Sequence, residues 1–357
     1  MKTGRSLVEL AQEIERQKNV KKDLLVDTRS LALNAGDEMK LEVRDTVRES
    51  LLPLHAFGVG EIAHQQLAQF TGVPLPYYKR MMSDAPDLLA DNVNRWLTQE
   101  PKRRMVRTLD GDARAILSDR YRCIDNYQIA ETVLPILADI PGVNVVSCEI
   151  TERRLYIKVV NPRMEGEVVP GDIVQAGIQI SNSEVGLGSV QILPLVYRLV
   201  CTNGMTVNDA AQRRKHVGRI NAANDDFSLF ESDTIRADNH AFMLKVRDTV
   251  KAVSEQVHFD RVITMMREAK QAAITTDIPA VVELTAKDYG LTKDEGSGVL
   301  DHLIRGGDLS LFGLANAITR HSQDVSSYDR ASDLEGIGYE VLSMSGAHWR
   351  RLNEAAA

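Results

Sequence analysis

The sequence is poor in aromatic residues and contains no long apolar run. Phe, Trp and Tyr make up 5% of its 357 residues. A helix that crosses a bilayer needs about 20 mostly apolar residues, and no stretch of this chain approaches that length, so we expect no membrane span. The opening segment, MKTGRSLVELAQEIERQ, becomes charged at once and lacks the apolar centre of an export signal. Together these absences predict a cytoplasmic protein.

Cysteine is also scarce. Cys123, Cys148 and Cys201 lie far apart, and the sequence has no CxxC pair and no histidine-rich ligand cluster. Widely spaced cysteines in a cytoplasmic protein are typical of reduced thiols rather than of disulfides or structural zinc. We therefore expect no metal site and no cofactor.

Familiar catalytic motifs are missing. The chain has no GxxxxGK[ST], HExxH, GxSxG or DxDxG motif. The pairs Gly58-Val59-Gly60 and Gly186-Leu187-Gly188 lack the third glycine of a dinucleotide fingerprint. No catalytic residue is predicted, and a non-enzymatic role is favoured. A metal-dependent nuclease is the remaining enzymatic alternative, because scattered carboxylates can assemble such a site in space.

The net charge of −7 is unevenly distributed. Residues 1–223 carry 29 Lys and Arg against 28 Asp and Glu, whereas residues 224–357 carry 14 against 22. An acidic protein can still bind nucleic acid when its cations line one groove, since the local field matters more than the total charge. The acidic C-terminal part is typical of solvated helices.

Periodicity along the chain predicts an α+β fold with a hairpin-rich antiparallel β core, flanking helices and a helical C-terminal region. Three regions are expected: a mainly helical N-terminal region at 1–100, a strand-rich core at 101–223 and an acidic helical region at 224–357. Ser6 is a candidate N-cap for a first helix. Asp110-Gly111 predicts a tight hairpin turn, and Thr234 to Ala273 predicts a long helical stretch.

The stretch from Asp172 to Asn208 is the most informative part of the sequence. Ile173 to Ser181 and Val190 to Cys201 have the β-branched content of two strands, and Gly186 and Gly188 favour a turn between them. The polar residues of this turn, Asn182, Ser183 and Glu184, suggest scaffold rather than an active site.

Basic residues accompany each of the predicted hairpins, and tyrosines are interleaved with two of the groups. Cations that follow phosphates and aromatic faces that stack on bases are the chemistry of single-strand binding. A solvated sheet face with ordinary salt bridges is the alternative. The candidate DNA-binding residues are Lys102, Arg103, Arg104, Arg107, Arg120, Tyr121, Arg122, Arg154, Tyr156, Lys158, Arg198, Arg213, Arg214, Lys215 and Arg219.

A second DNA-related pattern lies between Gln65 and Met82. Gly72 and the flanking apolar residues have the spacing of a helix-turn-helix, with Tyr77, Lys79 and Arg80 free to face a DNA backbone. Two helices joined by a short turn are also common without DNA. A sequence-specific regulator is therefore an alternative function.

Five segments together carry a resemblance to a known family: LSDRYRCIDN, ISNSEVGLGSV, YRLVCTNGM, HVGRI and LFGLANAIT. In this order they resemble the phage/plasmid-like family of uncharacterised bacterial proteins, whose members occur on phages, prophages and plasmids. The resemblance extends from about Ser6 to Met344. It implies kinship with proteins of mobile elements and no particular activity.

The arrangement of hairpins and a helix is more remotely similar to that of single-strand annealing proteins, such as the relatives of the lambda Red beta annealase and the Rad-family mediators. That similarity implies a homo-oligomer that binds single-stranded DNA and anneals it without ATP. This is the leading hypothesis. The alternative is a non-enzymatic assembly protein that contacts a host or plasmid protein.

Overall fold

The protein is described by a computed structural model at residues 1–44, 53–121, 124–188, 190–207, 232–253 and 256–356. It combines two largely antiparallel sheets with helices that are concentrated in the C-terminal part. The predicted α+β class, with its hairpin-rich antiparallel strands and helical end, is confirmed.

The first sheet joins strands from both sides of residue 101. Its strands are β1 (Lys22–Asp27), β2 (Leu31–Ala35), β3 (Met39–Val43), β4 (His55–Val59), β5 (Arg103–Leu109) and β6 (Asp112–Ser118), in the spatial order β1-β5-β6-β4-β3-β2. Only β4 and β6 pair in parallel among them. The β5–β6 turn has positive φ at Asp110 (54°) and Gly111 (90°), as an Asp-Gly hairpin requires.

The second sheet is a meander. Its strands are β7 (Asn144–Ile150), β8 (Leu155–Glu167), β9 (Ile173–Asn182), β10 (Gln191–Arg198) and β11 (Asn203–Thr206), and each pairs antiparallel with the next. Side chains alternate between the two faces of a strand. The register therefore puts a row of isoleucines on one face and a row of polar side chains on the other: Ile157, Ile180 and Ile192 against Tyr156, Ser181 and Gln191.

Helices cover both sheets. They are α1 (Leu7–Val20), α2 (Glu61–Thr71), α3 (Leu75–Asp84), α4 (Pro86–Gln99), α5 (Asn126–Asp139), α6 (Ser232–Val253), α7 (Gln256–Gln271), α8 (Ile278–Tyr289), α9 (Lys293–Gly306), α10 (Leu311–His321), α11 (Tyr328–Leu342) and α12 (Gly346–Ala355). Ser6 caps α1 as predicted, and Glu9 completes a capping box. The long helical stretch predicted from Thr234 to Ala273 corresponds to most of α6 and the whole of α7.

Three large apolar clusters organise these elements. Helices α2 to α4 pack on the first sheet around Leu41, Leu67 and Leu89. Helices α1, α5 and α6 pack on the isoleucine face of the second sheet. The C-terminal helices form their own core around Phe312, which also includes Val196 and Met205 of the second sheet. The burial of apolar area in each cluster is the main stabilising term.

The strands of the two sheets are distributed differently from the three expected regions. β1 pairs with β5 from Lys22–Thr108 to Asp27–Arg103, so the first sheet spans the boundary expected at residue 101. Four of its strands lie in the region that was expected to be mainly helical. The strands expected to form one core at 101–223 are divided between the two sheets.

Cys148 and Cys201 are free thiols, and burial raises the pKa of Cys148 to about 11. Cys123 lies outside the described residues. Among the helices of the described ranges, none combines the length and the apolar content that a bilayer span requires.

An internal ion pair attaches α11 to the polar face of the second sheet. Lys158 of β8 and Glu335 of α11 are both fully buried, and Nζ lies 2.6 Å from Oε2. The same ammonium donates to Ser332 Oγ at 3.0 Å and lies 4.8 Å from the centre of the Tyr328 ring. A buried charge is tolerated only when such partners replace water.

Replacing Lys158 alone should therefore destabilise the fold. We expect Lys158→Met to lower the free energy of unfolding by about 3–5 kcal/mol, because the carboxylate of Glu335 loses its counter-charge. Urea denaturation at neutral pH measures this. The double variant Lys158→Met/Glu335→Leu removes both charges and should recover most of the loss. Equal instability of the single and double variants would contradict the role assigned to the pair.

Candidate functional site

A polar cleft of about 380 Å³ lies between the second sheet and α11. Strands β8 to β11 supply its floor and α11 supplies one wall. Its lining consists of Arg154, Tyr156, Gln179, Ser181, Gln191, Leu193, Thr206, Arg330, Ser332, Asp333, Gly336, Ile337 and Glu340. The volume is within the usual range of small-molecule sites, roughly 300–1,000 Å³.

The floor is built by strand register. Tyr156 pairs with Ser181, and Ser181 pairs with Gln191, so the three side chains form one row on one face. Ser181 Oγ lies 3.4 Å from Gln191 Oε1, and Thr206 Oγ1 donates to Gln179 Oε1 at 3.0 Å. Both glutamines accept through oxygen, which leaves their amide NH₂ groups to donate elsewhere.

Arg154 is the most distinctive side chain of the cleft. Its Nη2 donates to the carbonyl oxygen of Leu187, whereas its Nη1 is buried and has no hydrogen-bond partner in the part of the chain that the structure describes. Gly188 makes room for this guanidinium. Its φ is 128°, and a Cβ at this position would lie 2.9 Å from Nη2. Leaving a buried donor of a charged group without an acceptor is costly.

The side chain of Tyr156 is held in place by contacts with α11. Its hydroxyl donates to Asp329 Oδ1 at 2.9 Å, and its ring lies 5.3 Å from that of Tyr328. Burial, with the carboxylate of Asp329 beside it, raises the pKa of Tyr156 far above its ordinary value. The phenol is therefore neutral at physiological pH and serves to hold the start of α11 on the sheet.

The α11 wall carries charges of both signs. Arg330 forms two hydrogen bonds with Glu295 of α9, at 2.7 and 2.8 Å. Asp333 lies at the cleft mouth, where nearby protein atoms restrict its hydration and raise its pKa, although Arg330 and Arg154 oppose the shift. With Glu340 also in the lining, the cleft suits a ligand that carries little net negative charge.

Several candidate DNA-binding residues lie inside the protein. Arg107 is 1% exposed, and its guanidinium contacts Asp23 at 2.9 Å and Asp125 at 2.6 Å. Lys158 is bound to Glu335, and Tyr156 is 4% exposed. A DNA contact at these positions would require breaking buried ion pairs and hydrogen bonds.

Two further candidates, Arg198 and Tyr121, are bonded to other residues of the protein. Arg198 pairs with Asp172 through bonds of 2.6 and 2.8 Å. The hydroxyl of Tyr121 donates to the carbonyl oxygen of Ser183 at 3.0 Å. The first contact ties the loop before β9 to β10, and the second joins two loops. Sequence pattern alone did not distinguish such cations and phenols from solvated ones.

The remaining described candidates belong to the β5–β6 hairpin and the residues beside it, where Arg104 is half-buried. Arg104 and Lys102 lie over the face of Phe70, at 4.8 and 5.5 Å from the ring centre. Arg103 in β5 and Arg120, two residues after β6, are both exposed. Arg122, Arg213, Arg214, Lys215 and Arg219 lie outside the described residues.

The helix-turn-helix pattern corresponds to α2 and α3. Gly72 ends α2 in the left-handed conformation, with φ of 70°, and Tyr78 is fully buried between the helices. Lys79 pairs with Glu61 at 2.7 Å, and Arg80 lies 3.6 Å from Asp84. The motif therefore packs α2 on α3; its use as a DNA reader stays a prediction.

The polar turn after β9 joins the two sheets. Glu184 is 4% exposed and accepts hydrogen bonds from the Asn126 amide, at 2.7 Å, and from the Arg114 guanidinium. Lys21, which ends α1, lies 3.6 Å away. One carboxylate thus contacts β6, α5 and the end of α1, which supports the scaffold role predicted for this turn.

The restricted hydration of Asp333 predicts a pH-dependent stability. Because its pKa is raised above the ordinary 3.8, the folded state holds this proton more tightly than the unfolded state, and stability falls as the pH rises above that value. We expect Asp333→Asn to be more stable than the wild type at neutral pH. The difference should shrink as the pH is lowered towards 3.8.

Urea titrations across this pH range measure the effect, with Asp91→Asn on the exposed side of α4 as a control. A difference between Asp333→Asn and the wild type that does not vary with pH would contradict the assignment.

Residues 114–332 match the model of a family described as a domain of unknown function (DUF932). The match covers more than half of the chain and includes the five segments that carried the family resemblance. No curated protein and no solved structure matches the chain. The matched residues contain the whole second sheet and the beginning of α11. The chain therefore belongs to the DUF932 family.

Proposed function

We propose that the protein is a binding protein for a small polar molecule, which it holds in the cleft between the second sheet and α11. The observation that carries this proposal is that Arg154, a residue of the cleft lining, has a buried Nη1 that lacks a hydrogen-bond partner among the described residues. An unpaired buried donor costs about 1–3 kcal/mol, and more for a charged group. A carboxylate or phosphate oxygen of a ligand would remove that cost.

The rest of the lining narrows the ligand class. Gln179 and Gln191 offer amide donors on the floor, and Ser181 and Thr206 offer hydroxyls. Asp333 at the mouth disfavours a polyanion and favours a ligand with donor groups or a positive charge. A ligand with one anionic group, several hydrogen-bonding groups and a positive charge, such as an amino acid, has this chemistry.

We expect one or more members of a panel of amino acids and other monocarboxylates to stabilise the wild type in thermal unfolding. A ligand at 100 times its Kd stabilises by ~2.7 kcal/mol. Arg154→Ala should abolish the stabilisation. Arg154→Lys should retain only part of it, because an ammonium cannot replace the fork of donors of a guanidinium.

Arg153→Ala is the matched control, since Arg153 is the exposed neighbour in the chain. It should respond to the ligand as the wild type does. Binding that persists in Arg154→Ala, or a panel that leaves the wild type unchanged, would contradict the proposal.

A second candidate function is single-stranded DNA binding, with ATP-independent annealing by a homo-oligomer. The surface formed by Phe70, Lys102 and Arg104 favours it, because both cations already lie over the aromatic face. In this proposal the protein is encoded on a phage, prophage or plasmid and acts in the cytoplasm. The Phe70 surface, rather than the cleft with its acidic wall, would contact the phosphates.

Fluorescence anisotropy with a labelled single-stranded oligonucleotide tests this function. We expect binding at low salt that weakens steeply as salt rises. In Lys102→Ala/Arg104→Ala the salt slope should fall by about 0.7 for each phosphate that the variant no longer neutralises. Phe70→Leu keeps the apolar bulk and should weaken binding by loss of stacking. Arg351→Ala on α12 is the control. No binding by the wild type at micromolar protein would rule the function out.

A further inference from the structure

Two histidines and one aspartate meet where α9, α10 and the loop after α10 come together. His302 Nε2 lies 2.5 Å from Asp324 Oδ2, and His321 Nδ1 lies 3.5 Å from the same oxygen. The ring centres of the two histidines are 6.0 Å apart. One candidate ligand atom from each of the three residues lies within 4.8 Å of the other two.

His321 has an unsatisfied ring nitrogen. Its Nδ1 is buried and makes no hydrogen bond to any described residue, although Asp324 is close. Buried polar atoms in folded proteins almost always have a partner, so this nitrogen needs one that the protein does not supply. A lone pair of imidazole is a good ligand for a transition-metal ion.

Gly298 shapes the pocket for this imidazole. A Cβ at residue 298 would lie 2.4 Å from His321 Nδ1 and 2.3 Å from Cε1, closer than any side chain could approach. His302 follows Gly298 by four residues, so both face the same side of α9. Helix α9 thus carries the imidazole of His302 and, through Gly298, leaves space for the imidazole of His321.

The separations are close to those of a coordinated ion. Zinc binds imidazole nitrogen at about 2.0–2.1 Å, so two ligands of a tetrahedral ion lie roughly 3.3 Å apart. The 3.5 Å between His321 Nδ1 and Asp324 Oδ2 is close to this value. The hydrogen bond between His302 and Asp324 would widen by roughly 0.8 Å on binding, which the half-exposed Asp324 can accommodate by side-chain rotation.

We propose that His302, His321 and Asp324 bind one divalent transition-metal ion of the zinc class. Two imidazoles and one carboxylate form a three-ligand set, which leaves at least one coordination position open. The inference is independent of the ligand proposed for the cleft. It adds a metal site where the sequence predicted none, because 19 positions separate the two histidines and no short motif joins them.

Ion binding at this site would also stabilise the cleft wall. Arg330 of α11 is held by Glu295, which begins the same helix that carries His302. The ion would tie α9 to α10 and to the loop that leads into α11. It would therefore fix the support of Arg330 without contacting the cleft.

Metal titration of the full chain, prepared without a polyhistidine tag and stripped with a chelator, tests the proposal. We expect one Zn²⁺ per chain by calorimetry, and a visible ligand-field spectrum when Co²⁺ is added. Loss of a mere outer-shell partner commonly costs about 10–100-fold in metal affinity. His302→Ala and Asp324→Asn should therefore weaken binding by at least ~10-fold.

His348→Ala is the matched control. His348 also pairs with a carboxylate, Asp288 at 3.0 Å, but with a single imidazole, and its loss should leave the Co²⁺ spectrum unchanged. Asp324 is half-exposed, so Asp324→Asn should remain folded by circular dichroism and keeps the test valid if a histidine variant unfolds. Absence of stoichiometric binding by the wild type, or unchanged affinity in His302→Ala and Asp324→Asn, would overturn the proposal.

Discussion

The buried contact between Lys158 and Glu335 is the constraint on which the functional region depends. Two charges without access to water must stay together, because separating them leaves each in a medium that solvates it poorly. This fixes α11 against the polar face of the second sheet, at the register where Tyr156 also reaches Asp329. The space left beside these contacts is the cleft. Its position therefore depends on these polar contacts as well as on the apolar packing of α11.

The second sheet serves two purposes through its alternation. Its isoleucine face packs on α1, α5 and α6 and stabilises the fold, whereas its polar face receives α11 and lines the cleft. The turn after β9 links this sheet to the first through Glu184. The same loop continues to Leu187 and Gly188, which position Arg154. The same turn therefore joins the two sheets and positions Arg154. Among the described residues, Arg154 is the cleft arginine that has an unpaired buried nitrogen.

Local patterns predicted the local structure well. The Asp110-Gly111 hairpin, the cap at Ser6 and the strands around Gly186 are formed as the residues suggested. The pairing of β1 with β5 was not predicted, because it joins segments far apart in the chain. The same limit applies to the sites. The sequence pattern of alternating Arg, Tyr and Lys is the same whether these side chains face solvent or an opposing carboxylate. Tyr156 and Lys158 are internal because α11 packs over them.

The ends of the family match fall inside structural elements rather than between them. Residue 114 lies within β6, which pairs with β5 over most of its length, and residue 332 lies within α11, three positions before Glu335. A fragment cut at these residues would expose the edge of β6 and would keep Lys158 while discarding its counter-charge. The stretch that the family model matches is thus shorter than the set of elements that these contacts join. The boundaries of the family match therefore differ from those of a fragment that would keep its strand pairs and its buried ion pair.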